Sequence, residues 1–135
     1  IPDFASQIAK VEAGLQDPVI WVGNLSAKRD FCDVRDVVRA YWAITERGQV
    51  GRIYNIASGQ AVTIQSILDQ LLSLSLVPIE VKIDEKKFRP VDVPVIYSSI
   101  NRIKAETGWE PQIKLYDTLK DTLEYWRTQV NKEKQ

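Results

Sequence analysis

Two arginines stand where they could grip an anion. Arg29 lies in Gly23-Asn24-Leu25-Ser26-Ala27-Lys28-Arg29-Asp30-Phe31, just ahead of a helical stretch, and Arg89 lies in the proline-interrupted run Arg89-Pro90-Val91-Asp92-Val93-Pro94. A guanidinium donates two parallel charged hydrogen bonds, which suits a diphosphate, and a carboxylate three residues on, Asp92, can accept two hydrogen bonds from a ribose diol. Spacing alone leaves each arginine equally able to be a surface ion pair. The carboxylates Asp30, Asp33 and Asp36 could serve as acid and base, but Lys28, Arg29 and Arg35 beside them favour ion pairs and a helix cap.

Other chemistry is excluded by composition. The sequence has no histidine, which removes imidazole bases, Ser-His-Asp triads and histidine-ligated metals. Cys32 is the single cysteine, so neither a disulfide framework nor a cysteine-ligated metal can form within the chain. No G-x-G-x-x-G follows a strand and no P-loop is present; Gly48-Gln49-Val50-Gly51 reads as a helix end and a turn. Tyr116 and Lys120 have the spacing by which a lysine lowers a tyrosine pKa. They open the last helix with no dinucleotide-binding βαβ unit upstream, and read as structural.

The elements that must hold these residues alternate in kind. Phe4, Ile8, Val11 and Leu15 share one face of a first helix that Gly14 helps to end, and Pro18–Val22 reads as a strand. Ala27–Asp33 is a loop or a short extended piece. Val34, Val37, Val38, Tyr41, Trp42 and Thr45 fit a half-buried helix with Asp33 as its cap. Arg52–Ile56 reads as a buried strand, Thr63 caps a helix through Ile64, Ile67, Leu68, Leu71 and Leu72, and Ile79–Ile83 alternates as a half-exposed strand. Asp84–Ser98 is irregular, and a charged loop of that length is often functional. Ser99 is placed to cap a short helix ending before Gly108-Trp109, and Leu115, Leu119, Leu123, Trp126 and Val130 stripe a final helix whose tail, Asn131–Gln135, frays. Strands interleaved with helices make the chain α/β or α+β in character.

At 135 residues, 44% hydrophobic and 27% charged, the chain has the balance of one globular region spanning 1–135. Lys+Arg and Asp+Glu both number 18, so no clustered positive charge points to nucleic acid. The longest apolar region, Leu71–Val81, is broken by Ser73, Ser75, Pro78 and Glu80, short of the roughly 18 apolar residues of a membrane span. These features predict a soluble, cytoplasmic protein. Ile1-Pro2-Asp3-Phe4 carries no initiator Met or signal pattern and reads as the start of a piece cut from something longer.

Several strings, in order, resemble one family over nearly the whole chain: Arg29 through Trp42 (RDFCDVRDVVRAYW), Tyr54 through Gly59, Arg89 through Pro94, Thr107 through Pro111, and Thr118 through Arg127. They are similar to the C-terminal part of extended short-chain dehydrogenases acting on GDP-sugars, in the NAD-dependent epimerase/dehydratase family. GDP-mannose 4,6-dehydratase and GDP-6-deoxy-D-mannose reductase are the nearest kinds, with Arg29-Asp30-Phe31 leaning to the reductase. The resemblance implies an α/β C-terminal substrate-binding lobe, short strands alternating with helices, without the Rossmann nucleotide-binding core. It implies Arg29 and Arg89 on the diphosphate of a GDP-sugar, Asp92 on the ribose and Asn24 beside the same site. It also implies no cofactor in this chain, NAD or NADP in the full-length parent, and no catalytic role for Tyr116 or Lys120. The missing N-terminal Rossmann domain would be the main partner, its absence leaving an apolar edge at Ile53–Ile56 open to self-association. Cys32 stands where Thr or Val is usual, and Ser98-Ser99 where Gly-Asp is usual. A second class stays open: a free-standing nucleotide-binding or protein-interaction module without enzymatic activity.

Overall fold

The structure is a computed structural model describing residues 1–88 and 93–133. It is α/β, and the chain divides into two compact units, one of Ile1–Ala27, Thr63–Asp92 and Tyr116–Gln135, the other of Lys28–Val62 and Val93–Leu115.

The first unit begins with α1 (Pro2–Glu12), where proline occupies the first helical turn, whose N–H groups have no intrahelical partner. Phe4, Ile8 and Val11 are buried at the predicted spacing, and Gly14, at φ +71°, turns the chain beyond the helix end. Leu15 falls past that turn and is exposed, not part of the stripe. β1 (Val19–Val22) lies parallel to β4 (Glu80–Ile83), with Val19 opposite Glu80 and Val22 opposite Ile83. Ile20 and Val22 are fully buried. α3 (Ile64–Ser73) is capped by Thr63, whose hydroxyl accepts the Ser66 N–H, and buries Ile67, Leu68 and Leu71. α5 (Leu115–Glu133) buries Leu119, Leu123 and Val130. Its helix runs through Asn131 to Glu133, where fraying is predicted; Lys134 and Gln135 lie outside the described residues. The half-buried alternation predicted for Ile79–Ile83 also differs, since every residue of β4 is exposed. In a two-stranded sheet both strands are edges, and among the described residues β4 has only β1 beside it.

The outer edge of β1 is closed by side chains. The Gln7 amide accepts the Trp21 N–H at 3.0 Å and donates to the Trp21 carbonyl at 3.3 Å, Lys87 Nζ donates to the same carbonyl at 2.8 Å, and Gln16 donates to the Val19 carbonyl at 2.7 Å. They occupy the groups that would recruit another strand.

In the second unit, β2 (Lys28–Asp30) is central in a three-stranded sheet ordered β3 (Ala61–Thr63), β2, β5 (Val95–Ile96), with β2 and β5 parallel. α2 (Val34–Arg47) is capped by Asp33, which accepts the Arg35 N–H, and α4 (Asn101–Thr107) ends at Gly108, φ +73°. Ala40, Ala43, Ile103 and Trp109 form the core, flanked by Cys32, Ile44, Tyr54, Ile56 and Ile100.

Four expectations are corrected here. The helix predicted from Val34 exists, but its buried residues are Asp36, Ala40 and Ala43, whereas Val34, Val38, Tyr41 and Trp42 are 60–71% exposed. Small side chains face inward because α4 and Trp109 fill that side. Arg52–Ile56 is not a strand. Arg102 donates to the Ile53 carbonyl and the Tyr54 hydroxyl donates to Glu106, so side chains of α4 hold the segment in place of a β ladder. The Asp84–Ser98 stretch contains a 3₁₀ turn, Glu85–Lys87, as well as β5. Ser99 does accept an N–H, from Asn101 at 3.3 Å, but Ile100 occupies the cap position of α4.

Candidate functional site

Asn24 belongs to the first unit. It follows β1, and its Oδ1 accepts from both the N–H and the hydroxyl of Ser26, at 2.9 and 2.8 Å, making a tight Asx turn. That turn forms one wall of an open cavity of about 530 Å³ lined by Gly23, Asn24, Leu25, Ser26, Thr63, Gln65, Ile83 and Phe88. Its walls pair apolar surface with the hydroxyls of Ser26 and Thr63 and the amides of Asn24 and Gln65. Gly23 is needed for the far wall: a Cβ there would lie 2.9 Å from the Lys87 carbonyl oxygen, so only glycine lets the 84–88 turn close on β1. Asp84 accepts the Lys86 N–H and the Lys87 ammonium reaches Trp21, which fixes this turn up to Phe88. Arg89 and Asp92, the next residues assigned to the site, lie outside the described residues.

Arg29 belongs to the second unit, on β2. Its Nη1 donates to the carbonyls of Lys28 and Val93, both at 2.8 Å, which aligns the guanidinium along the β2/β5 pair. The carboxylates near it have separate tasks. Asp30 accepts from the Ser58 N–H and hydroxyl and from the Gly59 N–H. Asp33 caps α2 and pairs with Arg35, as the sequence suggests. Asp36 is fully buried. Its Oδ2 accepts the N–H groups of Gln112 and Ile113 and its Oδ1 pairs with Arg39. Burial pushes its pKa up, but the Ile113 N–H, Arg39 and the Gln112 N–H outweigh that and hold it below the ordinary carboxylate value. None of the three is left as an acid and base pair.

A model of the GDP-mannose 4,6 dehydratase family matches residues 1–122. The chain belongs to that family. It is 33% identical over 133 residues to GDP-6-deoxy-D-mannose reductase of Pseudomonas aeruginosa, covering 98% of this chain and 44% of that protein. It is 28% identical over 110 residues to GDP-mannose 4,6 dehydratase 2 of Arabidopsis thaliana, covering 78% of this chain and 28% of the relative. Among solved structures, RMD from Pseudomonas aeruginosa, complexed with NADPH, superimposes with a TM-score of 0.88 at 32% identity over 95% of this chain and 42% of that one. The chain thus spans less than half the length of these family members and corresponds to their C-terminal part.

Among the described residues no glycine-rich turn of the dinucleotide-binding kind is present. The glycines at positive φ are Gly14 and Gly108, which follow helices, and Gly51 and Gly59, which sit in turns; none opens a helix after a strand, the arrangement that cradles a pyrophosphate. Among the described residues no group of three or more His, Cys, Asp or Glu could hold a metal. Burial, with the charges of Asp36, Asp30 and Asp33, pushes the Cys32 thiol up to about 11, so it is protonated and unreactive near neutral pH. Tyr116 and Lys120 occupy the first turns of α5, and both are exposed. No described helix is long and apolar enough to cross a membrane. Sequence reading missed the 84–88 turn and the Phe88 wall; the Asp84-x-Lys86 turn pattern was a usable local cue.

Proposed function

We propose that this chain is the substrate-binding C-terminal region of a GDP-sugar dehydratase or reductase, contributing nucleotide contacts and performing no chemistry alone. The carrying observation is the cavity walled by the Asn24 turn and by Phe88, the residue directly before Arg89. Asn24 is its polar contact for the nucleoside, Arg29 and Arg89 bind the diphosphate, and Asp92 accepts from the ribose. The full-length protein takes its nicotinamide cofactor from the part that this chain lacks, and acts in the cytoplasm.

That remaining part is also the proposed partner of the exposed stripe on α2 and of the unladdered segment at residues 52–56. The family members are more than twice as long as this chain, and the stripe is too apolar for a helix face that stays in water. Alone, the chain covers it by self-association.

Arg89→Ala in the full-length protein tests the reading. A charged hydrogen bond contributes roughly 1.5–3 kcal/mol, so GDP-sugar affinity should fall about ten- to a hundredfold. Unchanged affinity in a folded variant makes Arg89 a surface ion-pair partner and removes the assignment.

A further inference from the structure

β2 is three residues long and its neighbours are three and two residues long, so few ladder hydrogen bonds fix the strand that carries Arg29. The residue after Arg29 makes up the difference. Asp30 accepts the Ser58 N–H at 2.7 Å, the Ser58 hydroxyl at 2.6 Å and the Gly59 N–H at 3.0 Å, with the Ser98 N–H at 3.5 Å. Ser58-Gly59 leads into β3 and Ser98 follows β5, so one carboxylate fastens the end of β2 to the chain flanking both neighbouring strands. Adjacent strand residues point to opposite faces, so the Asp30 carboxylate and the Arg29 side chain leave β2 on opposite sides, Arg29 Nη1 resting on the Lys28 and Val93 carbonyls.

We propose that Asp30 is a positioning residue for Arg29: it holds β2 in the register at which the guanidinium meets a nucleoside diphosphate. This rests on the reading of Arg29 as a diphosphate contact. The sign of its charge separates this role from an electrostatic one. A carboxylate beside an anion site repels the anion, so by charge alone its removal would tighten binding. As a clamp, its replacement by an amide, which presents an N–H group to other N–H groups, loosens β2 and weakens binding.

The experiment is a double-mutant cycle on the chain, with GDP as the probe and dissociation constants read from NMR titration. Asp30→Asn should weaken GDP by roughly tenfold, the scale of one misdirected charged hydrogen bond. In the Arg29→Ala background the same change should cost nothing further. Ser58→Ala, which deletes one donor and keeps both backbone N–H groups, should give a smaller loss that also vanishes without Arg29, and it decides the matter if Asp30→Asn does not fold. Tighter or unchanged GDP binding by Asp30→Asn, or an equal loss in both backgrounds, overturns the positioning role. An Arg29→Ala variant with wild-type affinity overturns instead the reading of Arg29 itself.

Discussion

Asp36 shows what one buried carboxylate does in this fold. It joins the first turn of α2 to the backbone at residues 112 and 113, and the Trp109 indole donates to its carbonyl at 3.1 Å. Asp36→Ala leaves the Gln112 and Ile113 N–H groups and the Arg39 guanidinium without their carboxylate acceptor and should cost about 3 kcal/mol in a urea melt. Arg39→Ala should cost less than about 1 kcal/mol, because that side chain is partly exposed. From the sequence, Asp36 reads only as one of several charged neighbours; its main partners lie more than seventy positions away, and no local spacing announces them. Gly23 is similar. Its φ is unexceptional, and only the approach of the Lys87 carbonyl explains it. Gly23→Ala should push the 84–88 turn off β1 and weaken GDP binding severalfold, more than it lowers the melting temperature, whereas Gly14→Ala should act on stability alone.

Among the elements, α1 and α5 are tied by a nearly buried ion pair. Arg127 donates from Nε and Nη2 to both Glu12 oxygens at 2.6 Å and also to the Leu74 carbonyl, while Glu12 accepts the Leu76 N–H. Burial raises the Glu12 pKa, but the Arg127 hydrogen bond and the Leu76 N–H outweigh it and set it below its ordinary value. Removing one partner strands the other charge, so Arg127→Met should cost about 3–5 kcal/mol, with most of it recovered in Glu12→Gln/Arg127→Met. Glu12 and Asp36 both have lowered folded values. Their contribution is therefore complete above the unfolded carboxylate value near ~4 and lost as pH falls through the folded values, so acid titration should unfold the chain below ~4, with Arg127→Met having lost the Glu12 share already. The elements were largely legible in the sequence wherever a helix supplies its own hydrogen bonds and cap, as with Asp33 and Thr63. Arg52–Ile56 was not, because a strand needs a partner and none is beside it among the described residues. The α2 pattern gave the right helix and the wrong inner face. Its large apolar residues point away from this unit's core, so Trp42→Gln should leave the melting transition of the chain within about 0.5 kcal/mol while reducing self-association in sedimentation.

For the whole molecule, the family membership and the fold agree with what the strings from Arg29 to Arg127 implied. The proposed contacts Asn24 and Arg29 are readable as residue types, and the Asn24 turn is local, but the Gln7 and Lys87 contacts that close the edge of β1 and the Asp30 clamp join residues 14 to 68 positions apart, which no local spacing announces. The central claim is a nucleotide-binding region that has no dinucleotide site of its own. It is tested most directly by titrating the ¹⁵N-labelled chain with GDP and, separately, with NADPH. The account predicts saturable, weak shifts with GDP centred on the Asn24 turn and on Arg29, and no tight complex with NADPH; stoichiometric NADPH binding, or GDP shifts that bypass both places, would contradict it.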